Sequence, residues 1–170
     1  MCLKKFKDLE NLNRFELKDY DLIVVNTTDE SKVEKIKYLI KIIPRFIVED
    51  NAKVAILNSN IPPKVIYTSI INKQIEINKL RKLSQQQSKI KIENIKNVIK
   101  SNLYLNYITE TTIDEVIEKC EFLKNEKRTH LIIISNVGRI KDFNEENKYT
   151  FFNKLEVLSK KLEITIMITI

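Results

Sequence analysis

The chain has 170 residues, 43% of them hydrophobic, which suits one domain large enough to bury a core. Its net charge of +7 permits contact with nucleic acid, but Lys greatly outnumbers Arg, and Ile, Asn and Lys abound as AT-rich coding sequence would give. No apolar run approaches the roughly 20 residues that span a bilayer, and no signal peptide is evident, so we expect a cytoplasmic protein. Two cysteines predict neither a disulfide framework nor a zinc site.

The first part of the chain predicts a lead-in followed by a buried strand. Residues 1–20 are polar with scattered apolar side chains, and we expect a short helix or turn there. A single domain then covers 21–170. Its first strand spans about 21–26, because Leu22–Val25 is a continuous apolar run rich in β-branched side chains, typical of a strand covered on both faces.

A strand–turn–helix corner follows. Thr28, Asp29 and Ser31 all carry side-chain oxygens that cap a helix by accepting from free backbone N–H groups. Apolar residues at helical spacing predict a first helix over about 31–43. Pro44 is expected to end it, with the next residues either extended or a kinked continuation of the helix. In α/β proteins such a corner often holds a phosphate.

The middle of the chain alternates between apolar and polar segments. A second strand is predicted at 53–57, and the prolines after it suit the first turn of a helix that runs to about Asn72. Val65, Ile66, Ser69 and Ile70 are expected on one face of that helix. A further short helix is predicted at 75–83, then a polar connector at 84–88, before helical periodicity resumes at Ile92.

The last third of the chain carries clearer sequence patterns for strands and helices. A short strand is predicted at 103–105, and Thr112 followed by Glu115 has the spacing of a capping box. That helix is expected to run to about Asn125. Leu131–Ile134 is the most hydrophobic segment and is predicted to be a central strand.

The final helix opens near Asn144, and the final strand covers 164–170. Strands therefore alternate with helices along the chain. This alternation predicts a three-layer α/β domain with a mostly parallel central sheet, joined by right-handed crossovers.

Several strings, taken in order, resemble the RecA-like C-terminal motor domain of bacterial replicative DNA helicases of the DnaB type. They are FKDLENLNRFELKDYDLIVV at 6–25, the strand 53–57, the series formed by 103–105, 112–123 and 131–134, and LEVLSKKL at 155–162. The resemblance implies a P-loop NTPase-like fold. In the family, the second strand leads to the catalytic glutamate and the strand at 131–134 to the Walker B aspartate.

The resemblance also shows where the catalytic pattern departs. A Walker A loop has the form G-x-x-x-x-G-K-[ST], whereas residues 27–33 contain no glycine. Lys32 takes the place of the loop lysine only with a shift of one residue, and Val33 then replaces the hydroxyl that binds magnesium. The degenerate nucleotide-site positions are Thr28, Ser31, Lys32, Val33, Asn60 at the glutamate position and Ser135 at the Walker B aspartate position.

Outside this site, the sequence offers one basic cluster and two isolated reactive side chains. His130 is expected to be structural, since no second ligand or nucleophile is spaced to work with it. Cys120 is expected to be a small core residue on the inward face of its helix. The basic cluster is a candidate for phosphate-backbone contact, with a solvated surface as the alternative. It consists of Lys79, Arg81, Lys82, Lys89 and Lys91.

These departures predict a catalytically inactive helicase-like domain without ATP or metal as cofactor. It would act as an accessory or regulatory protein in DNA replication of a bacterium, plasmid or phage, docking on a replicative helicase, its loader or copies of itself. The family continues past the last strand with DNA-contacting loops and an arginine finger, and both are expected to be missing. The alternatives are an ATP-independent DNA-binding module and a residual DnaB-type ATPase that binds ATP and magnesium.

Overall fold

The computed structural model describes residues 4–6, 20–25, 32–58, 61–78, 84–108 and 110–170, and only the backbone of 4–6, 32–39 and 77. Within this part of the chain there are six strands and five α-helices. The strands are β1 Lys4–Phe6, β2 Leu22–Val25, β3 Val54–Asn58, β4 Leu103–Tyr107, β5 Leu131–Ser135 and β6 Thr165–Thr169. The helices are α1 Lys32–Val48, α2 Pro63–Ile77, α3 Gln85–Asn102, α4 Ile113–Lys127 and α5 Lys148–Leu162.

The strands form one sheet in the order β1-β2-β6-β5-β3-β4, and every neighbouring pair is parallel. The most hydrophobic strand, β5, lies in the middle beside β6, as its composition predicts. The register aligns the last residues of five strands across one edge of the sheet: Val25, Thr169, Ser135, Asn58 and Tyr107.

Helices cover both faces of the sheet, which gives the predicted three layers. On one face α1, α2 and α3 bury side chains such as Phe46 and Ile70 against Ile133 of β5. On the other face α4 and α5 bury Val116 and Phe151 among alternate residues of the same strands. Both faces of the central strands are thus covered, which is why these strands are continuous apolar runs.

Pro44 does not end the first helix, contrary to the sequence prediction. Helix α1 continues through it to Val48, so the alternative of a continued helix is correct. The side chains of Ile43 and Ile47 on either side of the proline are fully buried. Core packing of these residues offsets the hydrogen bond that a proline removes from a helix interior.

The boundaries between β3 and β4 also differ from the prediction. Helix α2 runs on to Ile77, past the break expected at Asn72, while residues 79–83 lie outside the described part. The expected polar connector is the first turn of α3, where the Ser84 side chain caps the helix by accepting from the Gln87 N–H at 3.4 Å. Val65 is half-exposed and does not share the buried face of α2.

The lead-in differs as well. Lys4–Phe6 forms a strand at the edge of the sheet, paired with β2, in place of the expected helix or turn. A short strand is favoured here because β2 offers it an unpaired row of backbone N–H and C=O groups.

Candidate functional site

The candidate site lies at the carboxyl edge of the sheet, where ligands bind in open α/β folds. The end of β2 at Val25 belongs to this edge, and the backbone of Lys32 and Val33 forms the start of α1. The cap candidates Thr28 and Ser31 lie outside the described residues, as does Asn60 after β3. The structure therefore places Ser135, and the backbone of Lys32 and Val33, among the predicted nucleotide-site positions.

Ser135, which the sequence analysis assigned to the Walker B aspartate position, is the last residue of β5. Its hydroxyl donates to the side-chain oxygen Oδ1 of Asn58 at 3.0 Å. Asn58 ends the neighbouring strand β3, is buried, and donates through Nδ2 to the carbonyl of Ile61 at 2.7 Å. The ends of the two strands are thus joined by a hydrogen bond between neutral side chains.

A second neutral contact joins β5 to β6. The backbone N–H of Asn136 donates to the Thr169 hydroxyl oxygen at 3.2 Å, and Thr169 is buried. Asn136 has φ 65° and ψ 56°, a left-handed conformation that asparagine tolerates better than most residues. The chain then turns through a single 3-10 turn, Val137–Arg139, away from the strand ends.

The chemistry of this edge follows from its side chains. None of the residues that end the six described strands is acidic, and those of β3, β5 and β6 are an amide and two hydroxyls. Such groups donate and accept hydrogen bonds, but they carry no negative charge to hold a divalent cation. Among the described residues, no group of three His, Cys, Asp or Glu side chains is placed to hold a metal ion.

Asn58 is the site residue that the sequence prediction missed, since it was assigned to the turn after the strand. A polar residue directly after a buried parallel strand is the signal that points to it. Its pairing with Ser135 depends on the register between β3 and β5, which aligns these two residues.

The predicted basic cluster is only partly described. Lys79, Arg81 and Lys82 lie outside the described residues, whereas Lys89 and Lys91 are exposed on α3. The first half of α3 is exposed on most sides, including Ile90 with 58% of its surface accessible. Lys89 and Lys91 are therefore accessible to a ligand.

His130 lies at the opposite edge, where β5 begins. The backbone N–H of Lys53 donates to its Nδ1 at 3.0 Å, and backbone hydrogen bonds also link His130 to Lys53 and Thr165. Burial, followed by repulsion from Lys124 and Lys53, lowers the pKa of this imidazole below its ordinary value. His130 thus ties neighbouring strands together.

Cys120 lies on the inner face of α4, as predicted. Its thiol is fully buried in the layer between α4, α5 and the sheet. Burial raises the pKa of the Cys120 thiol to about 12, so the reactive thiolate does not form at neutral pH.

An all-parallel sheet with helices on both faces is consistent with a RecA-like α/β fold. A solved structure of this class, the ATPase domain of a DnaB-type phage helicase, aligns with a TM-score of 0.63 over 95% of the chain. The chain covers 61% of that domain, and the two sequences are 11% identical. The likeness therefore shows the fold, and it confirms the resemblance to DnaB-type motor domains at that level.

No family model matches this chain, and no curated protein is significantly similar to it in sequence. Within the described part, the helices are all too short or too polar to cross a membrane.

Proposed function

We propose that this chain is a helicase-like domain that does not hydrolyse ATP and acts through protein contacts as an accessory or regulatory component of DNA replication. The observation that carries the proposal is the neutral pair formed by Ser135 and Asn58 at the ends of β5 and β3. In a DnaB-type ATPase, the position of Ser135 would hold the aspartate that serves the magnesium ion.

Phosphoryl transfer depends on positioned charge. A magnesium ion, the P-loop lysine and a water-orienting group together stabilise the charge on the transferred phosphoryl group. In this chain the carboxylate is replaced by a hydroxyl whose hydrogen is already donated to Asn58. Residues 27–33 also lack the glycines that let a backbone wrap around phosphates. Loss of several such groups together removes most of the catalytic stabilisation.

A role in protein contacts is supported by the retained fold. The described residues form six strands with helices on both faces of the sheet, so the domain offers helical surfaces for protein contacts that do not require ATP hydrolysis. The partners that fit a fold similar to the ATPase domain of a phage helicase are a replicative helicase, a helicase loader or a second copy of the chain.

The catalytic part of the proposal is tested with a fluorescent ATP analogue, titrated to millimolar concentration with magnesium, and with a phosphate-release assay. We expect neither saturable binding nor turnover. Saturable binding that is lost in Lys32→Ala would overturn the proposal and favour the alternative, a residual helicase ATPase. The matched control is Lys64→Ala, which removes an exposed lysine near the start of α2.

The regulatory part is tested by adding the protein to a strand-unwinding reaction of a purified DnaB-type helicase. We expect a concentration-dependent change in unwinding rate, together with co-migration of the two proteins on size-exclusion chromatography. Unchanged unwinding without co-migration would remove the helicase as partner. The same assay, repeated with a helicase loader present, distinguishes the helicase from the loader as the partner of this chain.

A second candidate function, ATP-independent DNA binding, is favoured by the exposure of Lys89 and Lys91 on α3. Each lysine that displaces a counterion from single-stranded DNA contributes about 0.7 to the slope of log affinity against log salt. We expect the double variant Lys89→Ala, Lys91→Ala to bind a labelled oligonucleotide with a slope smaller by about 1.4. Lys141→Ala, an exposed lysine between β5 and α5, is the control, and an unchanged slope would argue against this function.

A further inference from the structure

A groove of about 500 Å³ runs along the outer surface between α4 and α5. Its floor is apolar and includes Ile117, Val157 and Leu158. Val157 is 67% exposed, so it leaves apolar surface in contact with water. The groove is separate from the candidate nucleotide site, because no predicted nucleotide-site position lines it.

Two ion pairs bridge the helices along this groove. Lys154 Nζ lies 3.1 Å from Asp114 Oδ1, and Lys161 Nζ lies 3.1 Å from Glu121 Oε1. The two pairs are separated by seven residues on both helices, which is about 10.5 Å along each axis. In both pairs the lysine follows its acidic partner by 40 residues, so moving toward the C-terminus of α4 also moves toward the C-terminus of α5. The two helices therefore run parallel, and the members of each pair lie at the same height along the groove.

The charges are therefore segregated between the two walls. Both acidic members lie on α4, and both lysines lie on α5. These charges are paired within the chain, and a partner that complements the pattern presents two cations opposite α4 and two anions opposite α5, spaced by two helical turns, with an apolar strip between them. The same α4–α5 surface of another copy of this chain has that arrangement.

We propose that the α4–α5 groove is a self-association surface, occupied by the same groove of a second copy across a two-fold axis that runs along the groove. Rotation about this axis sets α4 of one copy against α5 of the other, in the same direction. Asp114 and Glu121 of each copy then face Lys154 and Lys161 of the other, and the two apolar floors meet. Such an interface is isologous and closes at a dimer.

The orientation of the axis follows from the charges. A two-fold axis across the helices would set α4 against α4 and α5 against α5, so that acidic side chains would face acidic ones and lysines would face lysines. Only the axis along the groove pairs opposite charges at every level. Burial of Val157 and its neighbours supplies the attraction, while the charges fix the register.

This proposal deepens the proposed function by selecting one of its partners, a second copy of the chain. It does not require the loss of ATP hydrolysis, since the groove uses none of the nucleotide-site positions. Its first test is sedimentation of the purified chain over a range of concentrations. We expect a monomer–dimer equilibrium that Val157→Glu shifts to monomer. Val65→Glu is the matched control, because Val65 is a half-exposed helical valine on α2, and it should leave the dimer intact. Circular dichroism checks that both variants are folded.

The second test exchanges the charges. Lys154→Glu with Lys161→Glu makes both walls acidic, and Asp114→Lys with Glu121→Lys makes both walls basic. The pairs are largely exposed, so their loss within one chain costs little stability. Each double variant alone should be monomeric, and an equal mixture should form a one-to-one heterodimer. A monomeric wild type, or a dimer that none of these changes weakens, would overturn the proposal.

Discussion

The hydroxyl of Ser135 donates to Oδ1 of Asn58 across 3.0 Å, between residues separated by 77 positions in the chain. Both side chains are buried at the ends of adjacent strands. The contact couples β5 to β3 at the carboxyl edge of the sheet. Its properties lead to the first prediction.

Replacement of Ser135 should lower stability, and a carboxylate should lower it further than a methyl group. Ser135→Ala removes the donor to Asn58, which costs about 1 kcal/mol of unfolding free energy. Ser135→Asp places a negative charge beside Oδ1 in a buried position, and we expect a loss of about 1–3 kcal/mol with no gain of ATP hydrolysis. Urea unfolding measures both, with the exposed Ser101→Ala as control. An Asp variant as stable as the wild type would contradict this.

The N-terminus of α4 carries a capping box. The Thr112 hydroxyl accepts from the Glu115 N–H at 3.3 Å, and a Glu115 carboxylate oxygen accepts from the Thr112 N–H at 2.8 Å. We expect Thr112→Ala to cost about 1 kcal/mol in urea unfolding.

The same capping box makes the free energy of unfolding depend on pH in the acidic range. The hydrogen bond from the Thr112 backbone lowers the pKa of the Glu115 carboxyl below its ordinary value near 4.5. A depressed folded-state pKa gives a stabilising contribution that is present above pH 4.5 and is lost as pH falls through the folded value. Glu115→Gln should flatten this part of the profile of unfolding free energy between about pH 5 and 3. A variant profile parallel to that of the wild type would contradict the assignment.

His130 should make the protein less stable in mild acid. Burial and the nearby Lys124 and Lys53 lower its pKa in the folded state, so the unfolded chain binds a proton more readily. The contribution of neutral His130 to the free energy of unfolding is therefore complete above pH 6.5, the pKa of the unfolded state. It is lost as the pH falls from 6.5 to the pKa of the folded state. Protonation also removes the acceptor for the Lys53 N–H.

The measurement is direct, because the chain has a single histidine. The imidazole proton resonance should titrate below pH 6.5, and Lys124→Ala should move its midpoint upward. In His130→Gln, the loss of stability between about pH 7 and 5 should diminish. A midpoint above 6.5 in the wild type would refute the prediction.

Thr165, at the start of β6, offers a site for stabilisation. Its hydroxyl is fully buried and has no hydrogen-bond partner among the described residues. Thr165→Val replaces that hydroxyl by a methyl group of similar size, and we expect about 1 kcal/mol of added unfolding free energy. The exposed Thr150→Val should change stability little. A destabilised Thr165 variant would indicate that the hydroxyl is satisfied in solution.

The strongest local patterns were sufficient to predict most of the fold. The apolar runs in β2 and β5 were identified as buried strands, and the spacing of Thr112 and Glu115 predicted the cap of α4, which the structure confirms. Pro44 was misjudged because its local preference against a helix is outweighed by the burial of Ile43 and Ile47, which only the packed layers supply. The first turn of α3 was missed because its polar residues show no periodicity.

The candidate site likewise contains one residue that the sequence analysis named and one that it missed. Ser135 was named because the resemblance to DnaB-type motor domains aligns it with the Walker B aspartate position. Asn58 was missed because its role depends on which strand lies beside β3 and in what register. Neither the order of strands nor their alignment is encoded in neighbouring residues.

The sequence by itself determined the alternation of strands and helices and the lack of glycines at residues 27–33, since composition and period are local properties of the chain. The tertiary structure alone decided that β6 lies beside β5 at the centre of the sheet, that Ser135 meets Asn58, and that the charges of α4 and α5 face each other across a groove. These relationships join residues far apart in the chain, and they exist only once burial of both sheet faces has fixed the packing of the layers.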